Sequence, residues 1–204
     1  MAAFGARYMK FAPFAGEEPA AALPAYGESV QLGGLNKADL TVNLASGEIH
    51  GDDVLDERVE EFVSGTLAVE VTDLAPQTES VVYGSKMGED GELVDKTSDE
   101  TPYGGLGYIK TLIRKGKKIY RAIYLPKVKA ALGNDNAATK SNSITLATHP
   151  LAFTVFEPNN GEWRYRKEFT GDDGEAQAKA YIDEKLGVTE AAQANVEDDG
   201  QTTE

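Results

Sequence analysis

Residues 101–129 read TPYGGLGYIKTLIRKGKKIYRAIYLPKVK, and their periodicity decides the fold class. Over 107–114, Ile109, Thr111 and Ile113 alternate with Tyr108, Lys110, Leu112 and Arg114. Over 119–125, Ile119, Arg121, Ile123 and Leu125 alternate with Tyr120, Ala122 and Tyr124. Successive strand side chains point to opposite faces, and Ile and Tyr suit that pleated surface. Arg114-Lys115-Gly116-Lys117 separates the two runs, and Gly116 can supply the positive φ of a tight turn. The stretch is therefore expected to form a long β-hairpin with a strongly basic tip. Pro126 lacks an amide donor, so the second strand is expected to stop or reach an edge there.

Upstream, residues 6–14 (ARYMKFAPF) read as a first strand ended by Pro13. Residues 15–34 are rich in Ala, Gly and Pro without a sustained period, which predicts an extended arm or long loop. Residues 39–44 (DLTVNL) alternate as a half-buried strand, and Ser46-Gly47 signals a turn. Val54, Leu55, Val59, Phe62 and Val63 have helical spacing, yet Leu67, Val69 and Val71 alternate as a strand. A strand from about Glu57 onward is favoured, with a bulge or bend at Gly65. Pro76 opens a short helix over 77–83, which Gly84 closes. Residues 84–102 (GSKMGEDGELVDKTSDETP) form a polar, acidic, mobile loop that only Leu93 and Val94 could anchor.

Downstream, residues 133–138 read as a loop, and 142–148 and 151–156 as strands interrupted near Pro150. Pro158-Asn159-Asn160-Gly161 is a turn, and residues 162–169 (EWRYRKEF) alternate again. Asp172-Asp173-Gly174-Glu175 starts a long helix, with an Asp as cap and Gly187 as its end. Ala178, Ile182 and Leu186 make an apolar stripe that needs a sheet to pack on. Residues 188–204 are polar and acidic and read as a flexible tail. Many short strands and one late helix, without βαβ alternation, predict a mainly β protein: an antiparallel sandwich or barrel with one flanking α-helix. The organisation is an N-terminal strand and arm over 1–34, a β domain over 35–187 and a tail over 188–204.

The chain has 204 residues, no Cys and a formal net charge of -14. That length buries enough surface to fold without metal or disulfide, and thiolate chemistry is excluded. No apolar run reaches the ~20 residues of a membrane helix. The first residues lack a basic segment followed by an apolar one, so a soluble chain made in a cytoplasm is the default. Charge is segregated: residues 1–100 carry net -14, 101–170 net +8 and 171–204 net -8. Surfaces of opposite sign suit head-to-tail contact between copies.

Catalytic and metal signals are weak. His50 and His149 stand without HxH or HExxH spacing. Asp52-Asp53, Asp56-Glu57 and Glu60-Glu61 could serve as paired carboxylates or a calcium site, but adjacent acids are expected in so acidic a chain. Gly104-Gly105-Leu106-Gly107 precedes a strand rather than a helix, so it reads as a bend entering the hairpin and not as a phosphate cradle. No clustered nucleophile, base and oxyanion donor is evident, so no enzymatic activity and no cofactor is expected. Arg114, Lys115, Lys117, Lys118 and Arg121 beside Tyr108, Tyr120 and Tyr124 could bind nucleic acid, against the repulsion of the net charge. Docking of the basic tip on an acidic neighbouring copy is the better use. Trp163 and Tyr165 offer a modest aromatic platform, as a carbohydrate-binding or capsid-decoration sandwich would need.

Several features recur in one order. Gly51-Asp52-Asp53 precedes the strand over 65–74, then come the short helix ending at Tyr83-Gly84 and Tyr103-Gly104-Gly105-Leu106-Gly107-Tyr108. The hairpin and Tyr124-Leu125-Pro126-Lys127-Val128 follow, then Thr139-Lys140-Ser141 and Gly161-Glu162-Trp163-Arg164 ahead of the last helix. Over 35–186 this resembles the major tail protein, or tail tube protein, of long-tailed non-contractile bacteriophages. Contractile-phage inner tubes and secretion-system tubes share that fold and are the nearest alternatives.

The resemblance implies a β-sandwich subunit assembling as hexameric rings whose inner sheets join in one β-barrel. Stacked rings would form the virion tail tube, built in the host cytoplasm, through which DNA passes without specific binding. It implies tail-tip initiator, tape-measure and terminator proteins as partners, and no membrane. Lys86, Glu89, Asp90, Leu93, Val94 and Asp95 are expected in an inter-subunit or inter-ring loop. Arg114, Lys115, Lys117 and Lys118 are expected to form a basic contact. Glu57, Glu61, Glu70 and Thr72 are expected to face an acidic lumen, since a wall of like charge keeps DNA from adhering.

Overall fold

The 101–129 stretch forms the expected hairpin and lies at the centre of the sheet. The structure, a computed structural model, describes residues 2–51, 54–132 and 148–187. In chain order the elements are β1 (Ala2–Pro13), β2 (Val30–Gln31), β3 (Leu35–Gly51), β4 (Val54–Val71), α1 (Pro76–Tyr83), β5 (Lys86–Met87) and β6 (Leu93–Val94). They continue with β7 (Tyr103–Arg114), β8 (Lys117–Ala131), β9 (His149–Val155), β10 (Tyr165–Thr170) and α2 (Gly174–Lys185). The expected loop over 133–138, the start of the strand over 142–148 and the tail over 188–204 lie outside the described residues.

The protein is mainly β. Eight strands join in one antiparallel sheet, ordered β2-β1-β7-β8-β9-β4-β3, with β10 also paired to β8. The sheet is open, not closed into a barrel. β8 is its branch point: residues 119–124 pair with β10 and residues 128–131 with β9. Pro126 sits between these two segments, where the β7 register jumps from Leu106↔Leu125 to Gly104↔Val128. The expectation that Pro126 ends the strand is therefore corrected. A proline is accommodated at a bulge, where a ladder hydrogen bond is already missing.

Both faces of the β7–β8 hairpin are covered. Leu106, Tyr108, Ile123, Leu125 and Val128 face a core shared with Met9 and Phe11 of β1, Leu67, Val69 and Val71 of β4, and Phe153 of β9. Val82 of α1 closes the same core. Ile109, Ala122 and Tyr124 face the other way, onto Ala178, Ile182 and Leu186, the predicted stripe associated with α2. Burying each of Ile109, Ile182 and Leu186 is worth roughly 1.5–3 kcal/mol. Two-sided burial explains why the sequence here alternates between two apolar sets rather than apolar and polar.

The glycine run has a packing reason. A Cβ on Gly105 would lie 2.6 Å from the Tyr26 ring, and one on Gly107 would lie 2.5 Å from Ile182 Cγ2. Gly105 and Gly107 share a face and admit Tyr26 and α2 side by side on it, so the run does more than bend the chain. At the ends of α1, Pro76 opens the helix and Gly84 takes φ 75 to close it, as expected. Asp173 precedes α2, but its side chain makes no capping hydrogen bond, which corrects the expected cap. Gly187 has the positive φ (72) that the predicted end needs.

The structure corrects the expected turn and arm and bears out the expected strand. Ser46-Gly47 is not a turn: β3 runs straight through it, pairing Ser46 with Glu60 and Gly47 with Val59. β4 begins at Val54, so the strand reading of this region prevails over the helical one. Of the two expectations for 15–34 the long loop is met and the extended arm is corrected, since apart from β2 the segment is a loop tied back onto its own chain. The Tyr26 hydroxyl donates to the Pro126 carbonyl at 2.8 Å and contacts the Tyr124 hydroxyl. Glu18 receives Lys127 Nζ at 2.6 Å and the Asn159 amide at 2.7 Å. Burial, then Tyr124, pushes the Tyr26 hydroxyl far above its ordinary pKa, so the latch stays protonated.

Candidate functional site

The surfaces able to act are edges, tips and projections. The most prominent is the outer part of the β3–β4 ribbon. β9 pairs with β4 only from Gly65 to Val71, while β3 accompanies β4 out to Val54. Residues 54–64 therefore extend as a two-stranded projection of roughly 34 Å. Residues 43–48 and 58–61 are all exposed. Apolar residues stand on this projection: Leu44, Val59 and Val63 are 51%, 49% and 56% exposed. β3 ends the strand order, and its outer edge has no strand partner among the described residues. Sequence reasoning missed this projection because it read a turn at Ser46-Gly47, which divided β3 into a strand over 39–44 and a short strand-like piece over 48–51.

At the base of the projection, Phe62 stacks on Trp163 with centroids 4.2 Å apart and planes 8° apart. Arg164 lies over the same indole at 4.4 Å. A ring and a guanidinium thus lie against the half-buried indole. Trp163 lines a surface cavity of about 380 Å³ together with Gly161, Glu162, Arg164, Tyr165 and Arg166. The Glu162 carboxylate accepts the Tyr165 hydroxyl. Burial, then the Arg166 charge, holds the Arg164 guanidinium below its ordinary pKa.

β4 carries the residues expected at a lumen. Counted by strict alternation, Glu61 and Glu70 would fall on opposite faces. The register passes from Asn43↔Ser64 to Leu44↔Phe62, leaving Val63 as an extra residue. That bulge turns Phe62 toward the core with Leu67 and Val69, and sets Glu61 on the other face with Glu70. Glu70 is half-buried and accepts Asn36 Nδ2 at 3.1 Å, while Glu61 and Thr72 are exposed. Glu57 pairs with Ile49 in the backbone register.

The basic tip forms as expected. Lys115 and Gly116 both have positive φ (50 and 77), the conformation of a type I′ turn. Arg114 reaches Glu168 with two contacts, at 3.1 and 3.2 Å, and Arg121 joins the same carboxylate. Arg121 first and Arg114 next hold the Glu168 carboxyl below the usual range. Lys115, Lys117 and Lys118 are exposed and make no ion pair among the described residues.

The acidic loop is more ordered than a bare connection. β5 and β6 pair as a short hairpin, Lys86↔Val94 and Met87↔Leu93. The Gly88 amide donates to the Glu92 carbonyl at 2.7 Å, so Glu89 and Asp90 stand at the turn. Asp95 accepts the Ser85 hydroxyl, which moors the far end of the hairpin.

Among the described residues, no group of three His, Cys, Asp or Glu side chains could hold a metal. His149 is exposed in β9, and the His50 side chain is outside the description. No helix among the described residues is long and apolar enough to cross a membrane. Against known proteins, the chain matches no family model and no curated sequence.

Proposed function

We propose that this chain is the repeating subunit of a phage tail tube, assembling as stacked, hexameric rings. The observation that supports it most is the β3–β4 projection, which carries Leu44, Val59 and Val63 outward beside an unpaired strand edge. An open edge with exposed apolar residues is a template for another chain, and ring closure removes the hazard. The finer architecture belongs to the same proposal: the open sheets of successive subunits join as one continuous barrel, giving the tail-tube type of sandwich.

In this reading the chain works by contact and shape and is not an enzyme. The basic tip meets acidic surface on a neighbour, and the 84–102 loop contacts another subunit or ring. The face of Glu61, Glu70 and Thr72 lines an acidic channel, and DNA slides through without specific binding. Initiator, tape-measure and terminator proteins set the ends and length of the tube in the virion.

Negative-stain microscopy and sedimentation of concentrated protein test the reading. Rings or tubes of one inner diameter are expected. A strictly monomeric protein, even with tail-tip initiator added, refutes it. Six-fold assemblies with Glu70 outside or a net basic inner wall would refute the account of the lumen alone.

A further inference from the structure

Two charged features have no ion-pair partner among the described residues. Arg164 and Arg166 border the 380 Å³ cavity beside Trp163, and neither has a carboxylate partner among the described residues. After burial, the largest influence on Arg164 is the charge of Arg166, which repels it. Glu162 shares the cavity lining, but its carboxylate is engaged by the Tyr165 hydroxyl, which leaves the two guanidinium groups to take an anion from outside. A guanidinium stacked on a ring keeps its in-plane N–H donors for a carboxylate, which it can grip with two hydrogen bonds.

The β5–β6 finger presents the complement. Glu89, Asp90 and Glu92 crowd its turn, all exposed and without a cation partner among the described residues. Met87 and Val94, behind that turn, are 43% and 41% exposed. The finger thus offers carboxylates at its tip and apolar groups on its sides. The cavity offers guanidinium groups with the rings of Trp163 and Tyr165 beside them.

The geometry points to a specific joint: the β5–β6 finger of one copy seats in the Trp163–Arg166 cavity of a second copy, Glu89 and Asp90 meeting Arg164 and Arg166. This rests on the reading of the chain as a self-assembling subunit and names the two surfaces that engage. Opposed charges at such a joint fix register and exclude copies docked the wrong way.

The test uses the full chain. The variants R164E/R166E and E89K/D90K are each expected to need about tenfold or more higher concentration to assemble, as loss of close charge pairs implies. A single chain carrying all four changes restores opposite charges and is expected to regain assembly. Each variant is first checked for an unchanged circular dichroism spectrum. Wild-type assembly by both charge-reversed variants overturns the joint while leaving the tube reading intact.

A second measurement does not depend on the charge variants folding. The chain has no cysteine, so D90C and R166C proteins can be mixed and oxidised. A disulfide-linked dimer containing one of each supports the joint even if no tube forms, and its absence at concentrations where wild type assembles, or at the highest soluble concentration, overturns it. Assembly unchanged in R164E/R166E, with loss of binding to a DNA duplex, would reassign the arginines to phosphate and likewise overturn it.

Discussion

β7–β8 and β3–β4 are both long antiparallel hairpins, and they are used in opposite ways. Every residue of β7 from Gly104 to Ile109 is buried, with α2 on one face and β4 and β9 across the other. The ribbon of β3 and β4 is covered only near residues 65–71, and its outer part is bare. Backbone pairing runs the length of both, interrupted only at bulges, so hydrogen bonds do not distinguish them. Side-chain burial does: one hairpin holds the monomer together, while the other has apolar surface left over for something else.

The sharpest way to break this comparison is truncation on each hairpin. Ile109→Ala removes a fully buried side chain and is expected to cost about 2–5 kcal/mol in urea unfolding of the monomer. A loss below half a kilocalorie would mean that α2 does not depend on this face.

Gly107→Ala comes next. Its added Cβ would press on Ile182, for about 1–3 kcal/mol of overpacking, less about 0.4–1 kcal/mol returned by the stiffer unfolded chain. Pairing it with Ile182→Ala, which removes the Cγ2 that the new methyl group meets, should cost less in thermal melts than the two changes summed.

The helix layer also has a pH signature. Lys10 Nζ meets Asp183 Oδ1 at 2.8 Å, and the Tyr8 hydroxyl donates to Asp183 Oδ2 at 2.7 Å. Burial opposes the Lys10 charge, but hydrogen bonds to Asp183 and Tyr8 outweigh it, so its pKa is raised. Burial first raises that of Tyr8. Raised folded values mean the stabilisation is complete below the unfolded values of about 10 to 10.5 and fades as pH climbs beyond them. Stability measured from pH 8 to 11.5 should fall less in Asp183→Asn than in wild type; equal slopes would remove the triad from the account.

The smallest expected effect is on the projection. Val59→Ser and Val63→Ser should leave monomer stability within about 0.5 kcal/mol, since these side chains are already half in water. Their effect should appear instead as weakened assembly by sedimentation. A large loss of monomer stability would show that the outer ribbon packs on its own chain, and the contrast between the hairpins would disappear.

The buried hairpin was legible because two-sided packing imposes strict residue choice: Ile109 and Tyr108 both had to be apolar, for different neighbours. The α2 stripe of Ala178, Ile182 and Leu186 was legible for the same reason. The projection was not, because outside the core nothing enforces alternation, and Ser46-Gly47 then looks like a turn. Pro126 misled because a bulge depends on the partner strand's register, which is not written in residues 119–131. The role of Tyr26 was hidden too, since its partners lie about a hundred positions away. Of the candidate surfaces, the basic tip and acidic finger could be located from charge and turn residues. The Trp163–Arg166 cavity is lined by one contiguous stretch, but the Phe62 ring that stacks on Trp163 comes from another strand, which local sequence does not reveal.

The position of β1 has a consequence in time. Met9 and Phe11 belong to the core, yet β1's long partner is β7, beginning at Tyr103. A ribosome adding about 5–20 residues per second reaches that partner only about 5–20 seconds after β1 has been made. Through that interval the first strand has apolar residues and no lasting place to put them. The ribbon of β3 and β4, made in between, can close on itself at once. A newborn chain therefore offers its outward-reaching ribbon before its own centre exists, and a crowded polysome would favour contact between unfinished copies. A chaperone that holds residues 2–13 until β7 emerges would let the subunit finish itself before it meets another.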